Sequence, residues 1–251
     1  MLYALRLSLL ALLATFTAFA AAPARAADQP RILVFHLATG YRHASIDAGI
    51  PALKALGARE GIQVEASDDP NVFDAQTLKG FRAVVFLNTT TQRQKPDTEW
   101  LVGERQAALQ AFVRAGGGVV GIHAAADSHY GWDWYGRLMG ARFAKHPPGT
   151  PQGSLAVTDP KHPALGGLPA RFDRPDEWYY FDDYDPTARV LVTLDPASIG
   201  QADANPNPIS WVRTYDGGRV FYTAMGHTPE SFSDPLVLNH IAAGLKWVMG
   251  R

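Results

Sequence analysis

The chain has 251 residues, with 23 lysines and arginines against 24 aspartates and glutamates, for a formal net charge of −1. No basic run or stripe stands out, which argues against nucleic acid or an anionic membrane surface as a partner. Cysteine is absent, which excludes disulfides, thiolate nucleophiles and sulfur-ligated metals.

Residues 1–26 have the pattern of a secretory signal. Arg6 supplies positive charge, Leu7 to Ala22 is apolar, and Ala24-Arg25-Ala26 fits a small-x-small cleavage site. The apolar run is short for a spanning helix, which needs about 20 such residues. The mature chain, residues 27–251, is therefore expected to be periplasmic or secreted. It should show no stable membrane insertion once the signal is removed, and its length suits one domain.

Next comes an alternation of strands and helices. Ile32 to Leu37 predicts a strand, and Ile46 to Arg59 a helix with Ser45 as N-cap. Ile62 to Ala66 and the nearly all-apolar Val84 to Leu87 predict two more strands. Thr98 to Ala115 carries an apolar stripe through Leu101, Ala108, Leu109, Phe112 and Val113, and predicts a helix ended by Gly116 to Gly118. Val119 to Ile122 is the fourth strand. This rhythm argues for a mostly parallel sheet flanked by helices. The second half adds short strands at Leu155 to Thr158, Trp178 to Phe181, Arg189 to Leu194, Ser210 to Tyr215 and Val220 to Ala224. Asp216-Gly217 supplies the residues of a tight hairpin turn, so these additions should be antiparallel. Ala202 to Pro208 is the most loop-like stretch. A helix from Asp234 to Met249, capped by Asp234 with Pro235 in its first turn, closes the chain.

Three of the strands run into histidines: His43, His123 and His227. Open α/β sheets bind ligands beyond the carboxyl ends of their strands. His123 stands where a nucleophile elbow would place its reactive residue, followed by the small residues that a sharp turn tolerates. Asp176-Glu-Trp-Tyr-Tyr180 joins carboxylates to aromatic faces, the pairing that suits a sugar's hydroxyls and C–H surfaces. Burial beside Trp178 would raise the pKa of Glu177 and make it a general acid. His146 lies in a long segment after the elbow that has the character of a lid or binding loop. His162 and His240 read as structural. A divalent metal held by His43, His123, His146 and His227 with Glu177 or Asp127 would be a reasonable nitrogen/oxygen set. None of these residues has the short spacing of a metal motif, so no cofactor is expected.

Thr39-Gly-Tyr-Arg-His43, Gly121-Ile-His-Ala124, His146-Pro147, Asp176-Glu-Trp-Tyr179 and Gly226-His-Thr228 together resemble the marks of the ThuA-like, trehalose-utilisation family. The set occurs in order across Arg31 to Met249. The resemblance implies a flavodoxin-like, class I glutamine amidotransferase-like fold. The amidotransferase cysteine is missing and His123 stands at or beside its elbow, so that activity is not carried over. The resemblance also implies a role with carbohydrate, notably disaccharides and their 3-keto derivatives. The function expected is that of an exported protein acting on a keto-sugar or glycoside by acid–base chemistry. His123 or His227 would be the base and Glu177 the acid. His43, Tyr41, Asp127, His146, Trp178 and Tyr179 would hold the substrate. The alternatives are a non-catalytic sugar-binding module and a metal-dependent hydrolase.

Overall fold

The computed structural model describes residues 29–202 and 205–251. The expected signal segment lies outside the described residues. The first half runs β1 (Arg31–Phe35), α1 (Ser45–Glu60), β2 (Gln63–Ser67), α2 (Ala75–Leu78), β3 (Ala83–Leu87), α3 (Glu104–Arg114), β4 (Gly118–Ile122), α4 (Asp133–Met139) and β5 (Arg142–Lys145). The second half runs β6 (Gln152–Val157), β7 (Arg171–Pro175), β8 (Tyr180–Asp182), β9 (Arg189–Leu194), β10 (Asn207–Tyr215), β11 (Gly218–Thr223) and α5 (Pro235–Val248).

Nine strands form one sheet in the order β2-β1-β3-β4-β11-β10-β9-β6-β7. The first five are parallel and the rest antiparallel. β5 and β8 pair as a separate ribbon. The all-apolar strands β3 and β4 are wholly buried, as the middle of a sheet covered on both faces must be. α1 and α5 touch one another, as do α2 and α3, while α4 packs on β11. The β10–β11 hairpin turns on Asp216 (φ 48°) and Gly217 (φ 95°), the two positive-φ positions that such a turn requires. Among the described residues no helix is long and apolar enough to cross a membrane.

Several expected boundaries move, each for a local reason. The third helix starts at Glu104 because Pro96 opens a separate 3-10 turn and Gly103, at φ 57°, breaks the path between them. Ser45 lies inside α1 and does not cap it. Its hydroxyl instead accepts from the Asn88 amide at 2.7 Å. Asp234 does cap α5, accepting from the Leu236 N–H at 2.9 Å. The segment expected as a lid folds into α4 and β5, because Trp134, Tyr135, Leu138 and Met139 are core residues. Asn207, expected in a loop, begins β10 and donates to the Tyr179 carbonyl at 2.7 Å. Residues 176–179 are not strand, since the Asp176 carboxylate takes the Glu177 N–H.

Candidate functional site

The parallel strands β1, β3, β4 and β11 deliver their carboxyl ends to one edge of the sheet. Four polar residues follow them: His43, Asn88, His123 and His227. Asn88 (φ 48°) and His123 (φ 46°) both take the left-handed conformation, a strained one that concentrates at functional sites. His123 thus makes the sharp elbow its position suggested, entering a 3-10 turn directly after β4. Buried Asn88 donates to Ser45 Oγ at 2.7 Å and to the Gly226 carbonyl at 3.0 Å. It thereby ties the β1 loop to the β11 loop. Gly226 must be glycine: φ is 131°, and an added Cβ would lie 2.9 Å from Ile122 Cγ2.

The imidazoles meet Glu177. His123 Nε2 is 3.4 Å and His227 Nδ1 3.2 Å from Glu177 Oε2, and the two ring nitrogens are 3.3 Å apart. The His43 ring stands edge-on to both others, with centroids 5.0 and 5.1 Å away. Glu177 Oε1 faces His146 Nδ1 at 3.2 Å. The Tyr179 ring lies 4.2 Å from the His123 ring and 4.2 Å from Phe143, forming an aromatic floor.

Buried Asp176 holds this arrangement together. Its Oδ1 accepts from the backbone N–H groups of Glu177 (2.9 Å) and His227 (3.1 Å). Its Oδ2 accepts from the Gly226 N–H (3.0 Å) and the Arg174 guanidinium (2.5 Å). Arg174 also donates to Ser231 Oγ at 3.0 Å. One carboxylate therefore pins the chain carrying Glu177 to the chain carrying His227.

The electrostatics differ from the sequence expectation at Glu177. Burial pushes its pKa up, but its contacts with His123 and His227 outweigh burial and hold it far below the usual carboxylate range. Glu177 is an ionised acceptor rather than an acid. Burial lowers the His227 pKa, yet its contact with Glu177 wins and the net shift is upward. Asp127 behaves as Glu177 was expected to. Burial raises it to about 6, against the hydrogen bond from Tyr130, and it feels the charges of Glu177 and His146.

Trp178, expected to present its ring to a ligand, is wholly buried and donates to the Pro151 carbonyl at 2.9 Å. It is a core residue. Tyr41 is the opposite case: its ring is 68% exposed and sits 4.8 Å from His43 at the rim. A cavity of about 200 Å³ there is lined by Tyr41, His43, Thr150, His227, Thr228 and Glu230. A larger apolar cavity, of about 310 Å³, sits beside Arg82 and Gly117, at the other end of β3 and β4, away from every histidine described above.

The structure thus brings His43, His123, Glu177 and His227 together, with His146, Tyr179, Asp127 and Tyr41 around them. His240 is structural, as its place on the apolar stripe implied; it pairs with Ser210 Oγ at 2.8 Å and with the Leu165 carbonyl at 3.1 Å. Sequence reasoning missed Asn88, Arg174 and the pinning role of Asp176. Asn88 carried a usable signal, since a polar residue ends the all-apolar β3 much as His123 ends β4.

A family model described as trehalose utilisation (ThuA) matches residues 31–248. No curated protein matches the chain. Among solved structures, a protein described as ThuA-like from Bacteroides uniformis aligns with TM-score 0.71 and 24% identity, over 91% of this chain and 95% of that one. Another so described, from Parabacteroides merdae, aligns with TM-score 0.68 and 20% identity, over 88% and 90%. A structure described as the carbohydrate deacetylase Agd3 aligns with TM-score 0.60 and 14% identity, over 88% of this chain and 32% of that one. At these identities the solved structures show the fold, a flavodoxin-like α/β sheet.

Proposed function

Because this chain belongs to the trehalose-utilisation (ThuA) family, we propose that it acts on a carbohydrate, a keto-sugar or glycoside, at the His43–His123–Glu177–His227 cluster. The observation that carries this reading is the convergence of three imidazoles and one ionised carboxylate at the carboxyl ends of parallel strands, beside an exposed aromatic rim. Tyr41 offers a ring face to the sugar's C–H surface, and the cluster faces its oxygens. The relatives' descriptions support a carbohydrate: one family concerns trehalose utilisation and one fold neighbour is a carbohydrate deacetylase.

The chemistry follows from charge. A carbon next to a ketone gives up a proton when the developing enolate oxygen is stabilised. Within the cluster His227, whose pKa its contact with Glu177 raises, is the group suited to supply that stabilisation. Glu177 is kept ionised by the two imidazoles it touches, so it does not donate the proton. Asp127, with a pKa near neutrality, is suited to carry it. Elimination and isomerisation begin with this step, and hydration of an unsaturated ketone ends with its reverse. In keeping with the small-x-small site ending at Ala26, we read the chain as exported and residues 27–251 as one working domain.

Incubation of the purified protein with 3-keto-glucosides tests the reading. Turnover that is lost in His123→Ala with ligand affinity retained supports an enzyme. Ligand binding without turnover in the parent protein makes it a binding module. Neither binding nor turnover across keto- and unoxidised glycosides overturns the carbohydrate reading.

A further inference from the structure

We propose that His43, His123, His227 and Glu177 bind a divalent transition-metal ion of the zinc class. The inference rests on the reading above and deepens it by naming a cation that the same residues would hold, but ion binding itself can be measured without any sugar.

Donor spacing is the first argument. One ligand atom from each of the four residues lies within 4.8 Å of the others. The separations among His123, His227 and Glu177 are 3.2, 3.3 and 3.4 Å. Donors placed tetrahedrally at 2.0–2.1 Å from zinc lie about 3.3 Å apart. The three edges joining His123, His227 and Glu177 have that length before any ion is considered.

The second argument concerns lone pairs. His123 Nδ1 is 2.8 Å from the Ala224 carbonyl, which can only accept. A ring proton is therefore on Nδ1, and in the neutral imidazole Nε2 turns a lone pair toward the cluster. Metal-binding histidines are oriented in this way. Glu177 Oε2, a carboxylate oxygen, faces the same point at 3.4 Å from His123 Nε2. Two acceptors aimed at each other need a cation between them. A single proton on His227 Nδ1 has two acceptors to serve, at 3.2 and 3.3 Å. An ion accepts electron pairs from all of them at once.

His43 is the third argument and is independent of the other two. It is only 3% exposed, and its Nδ1 has no partner in good hydrogen-bond geometry, although the Tyr41 backbone interacts with the ring. A buried ring nitrogen left without a partner costs about 1–3 kcal/mol. His43 nonetheless stands edge-on to both other imidazoles, where packing alone would favour an apolar side chain. Imidazole nitrogens with one carboxylate and no thiolate suit zinc and its first-row neighbours rather than magnesium or calcium. His146 and Asp127, considered as ligands from the sequence, fall outside the set. His146 binds the outer oxygen of Glu177 and leaves Oε2 for the ion.

The test uses the full chain as purified and again after chelation, titrated with zinc(II) and cobalt(II) by calorimetry and absorption. Elemental analysis of the untreated protein runs alongside. One equivalent per chain is expected, with cobalt(II) giving the visible bands of a low-symmetry nitrogen/oxygen site. His123→Ala and Glu177→Gln should each weaken binding by at least about tenfold. His162→Ala, outside the cluster, should leave the stoichiometry unchanged. If the ligand variants do not fold, a zinc-dependent rise in the melting temperature of the chelated parent decides the matter instead. A small fraction of an equivalent in both untreated and reconstituted protein overturns the proposal, as does undiminished binding in folded ligand variants. The two readings fail separately. Bound metal without sugar recognition sinks the carbohydrate reading alone, and full turnover by chelated, metal-free protein sinks the ion alone.

Discussion

Replacing Asp176 with Asn tests whether one buried carboxylate holds the site together. The two side chains have nearly the same shape. Asp176 accepts four hydrogen bonds, two on each oxygen. An amide has one acceptor oxygen, and its NH2 group would face two N–H donors. In one orientation the Glu177 and His227 N–H groups are stranded; in the other, the Gly226 N–H and Arg174 are. Each buried donor left unsatisfied costs about 1–3 kcal/mol, and breaking a buried ion pair by removing one partner costs about 3–5 kcal/mol. A loss of about 4 kcal/mol is expected, which at about 2–4 °C per kcal/mol in a domain of this size lowers Tm by roughly 10 °C. Thermal and urea melts of Asp176→Asn should show this beside Asp173→Asn, an exposed change on β7 expected within about 0.5 kcal/mol of the parent. The His227 ring resonance should also shift, because its backbone anchor is lost. An Asp176→Asn melt indistinguishable from that of Asp173→Asn would refute the pinning argument.

Two further outcomes concern pH. Burial lowers the His240 pKa from 6.5 to about 4, so between those values the unfolded chain binds the proton and the folded chain does not. Stability from this residue is full above pH 6.5 and falls as pH drops toward 4, by about 3 kcal/mol in all. Urea melts across that window should show the slope, and it should become shallower in His240→Gln whatever that variant's baseline stability, the buried His43 contributing the same sign in both proteins. Asp127, with its pKa raised to about 6, should as proton acceptor give a kcat/KM that rises through pH 6 and then levels. Asp127→Asn should reduce kcat by about 10²-fold or more and abolish that limb; an unchanged pH–rate profile would remove Asp127 from the chemistry.

Much of the parallel half was legible because its strands are short apolar runs between glycine breaks and its helices carry clear stripes. The imidazoles His43, His123 and His227 were legible for a related reason: His123 directly follows β4, His43 and His227 lie in the loops that leave β1 and β11, and strand ends converge by the geometry of the sheet. Asp176 and Glu177 come from an irregular crossing between β7 and β8, whose path is set by long-range hydrogen bonds. No periodicity reports that, so the pair stood out only as carboxylates among aromatics. Trp178 was misassigned for the same reason. Without a strand to set alternation, neither face of residues 176–179 could be placed, and the largest ring turned to the core. The pKa of Glu177 failed because burial was weighed without its partners, and two imidazoles at hydrogen-bond range outweigh desolvation.

The cluster also tells what it is for through what it costs. His43 is buried with an orphan nitrogen, and His123 sits at φ 46°. A fold under pressure for packing alone would replace the first with an aliphatic side chain, so His43→Leu, close in volume, should stabilise the chelated, metal-free protein by about 1 kcal/mol, the desolvation penalty of the lost nitrogen. The same change should weaken the bound ion and abolish turnover, the usual exchange of function for stability at a working site. Urea melts with and without zinc(II) separate the two effects. The parent should gain stability from the ion, and the variant should start higher and gain little. If His43→Leu instead destabilises the metal-free protein by more than about 1 kcal/mol, the imidazole is being satisfied by contacts within the fold, and the argument from cost to function fails.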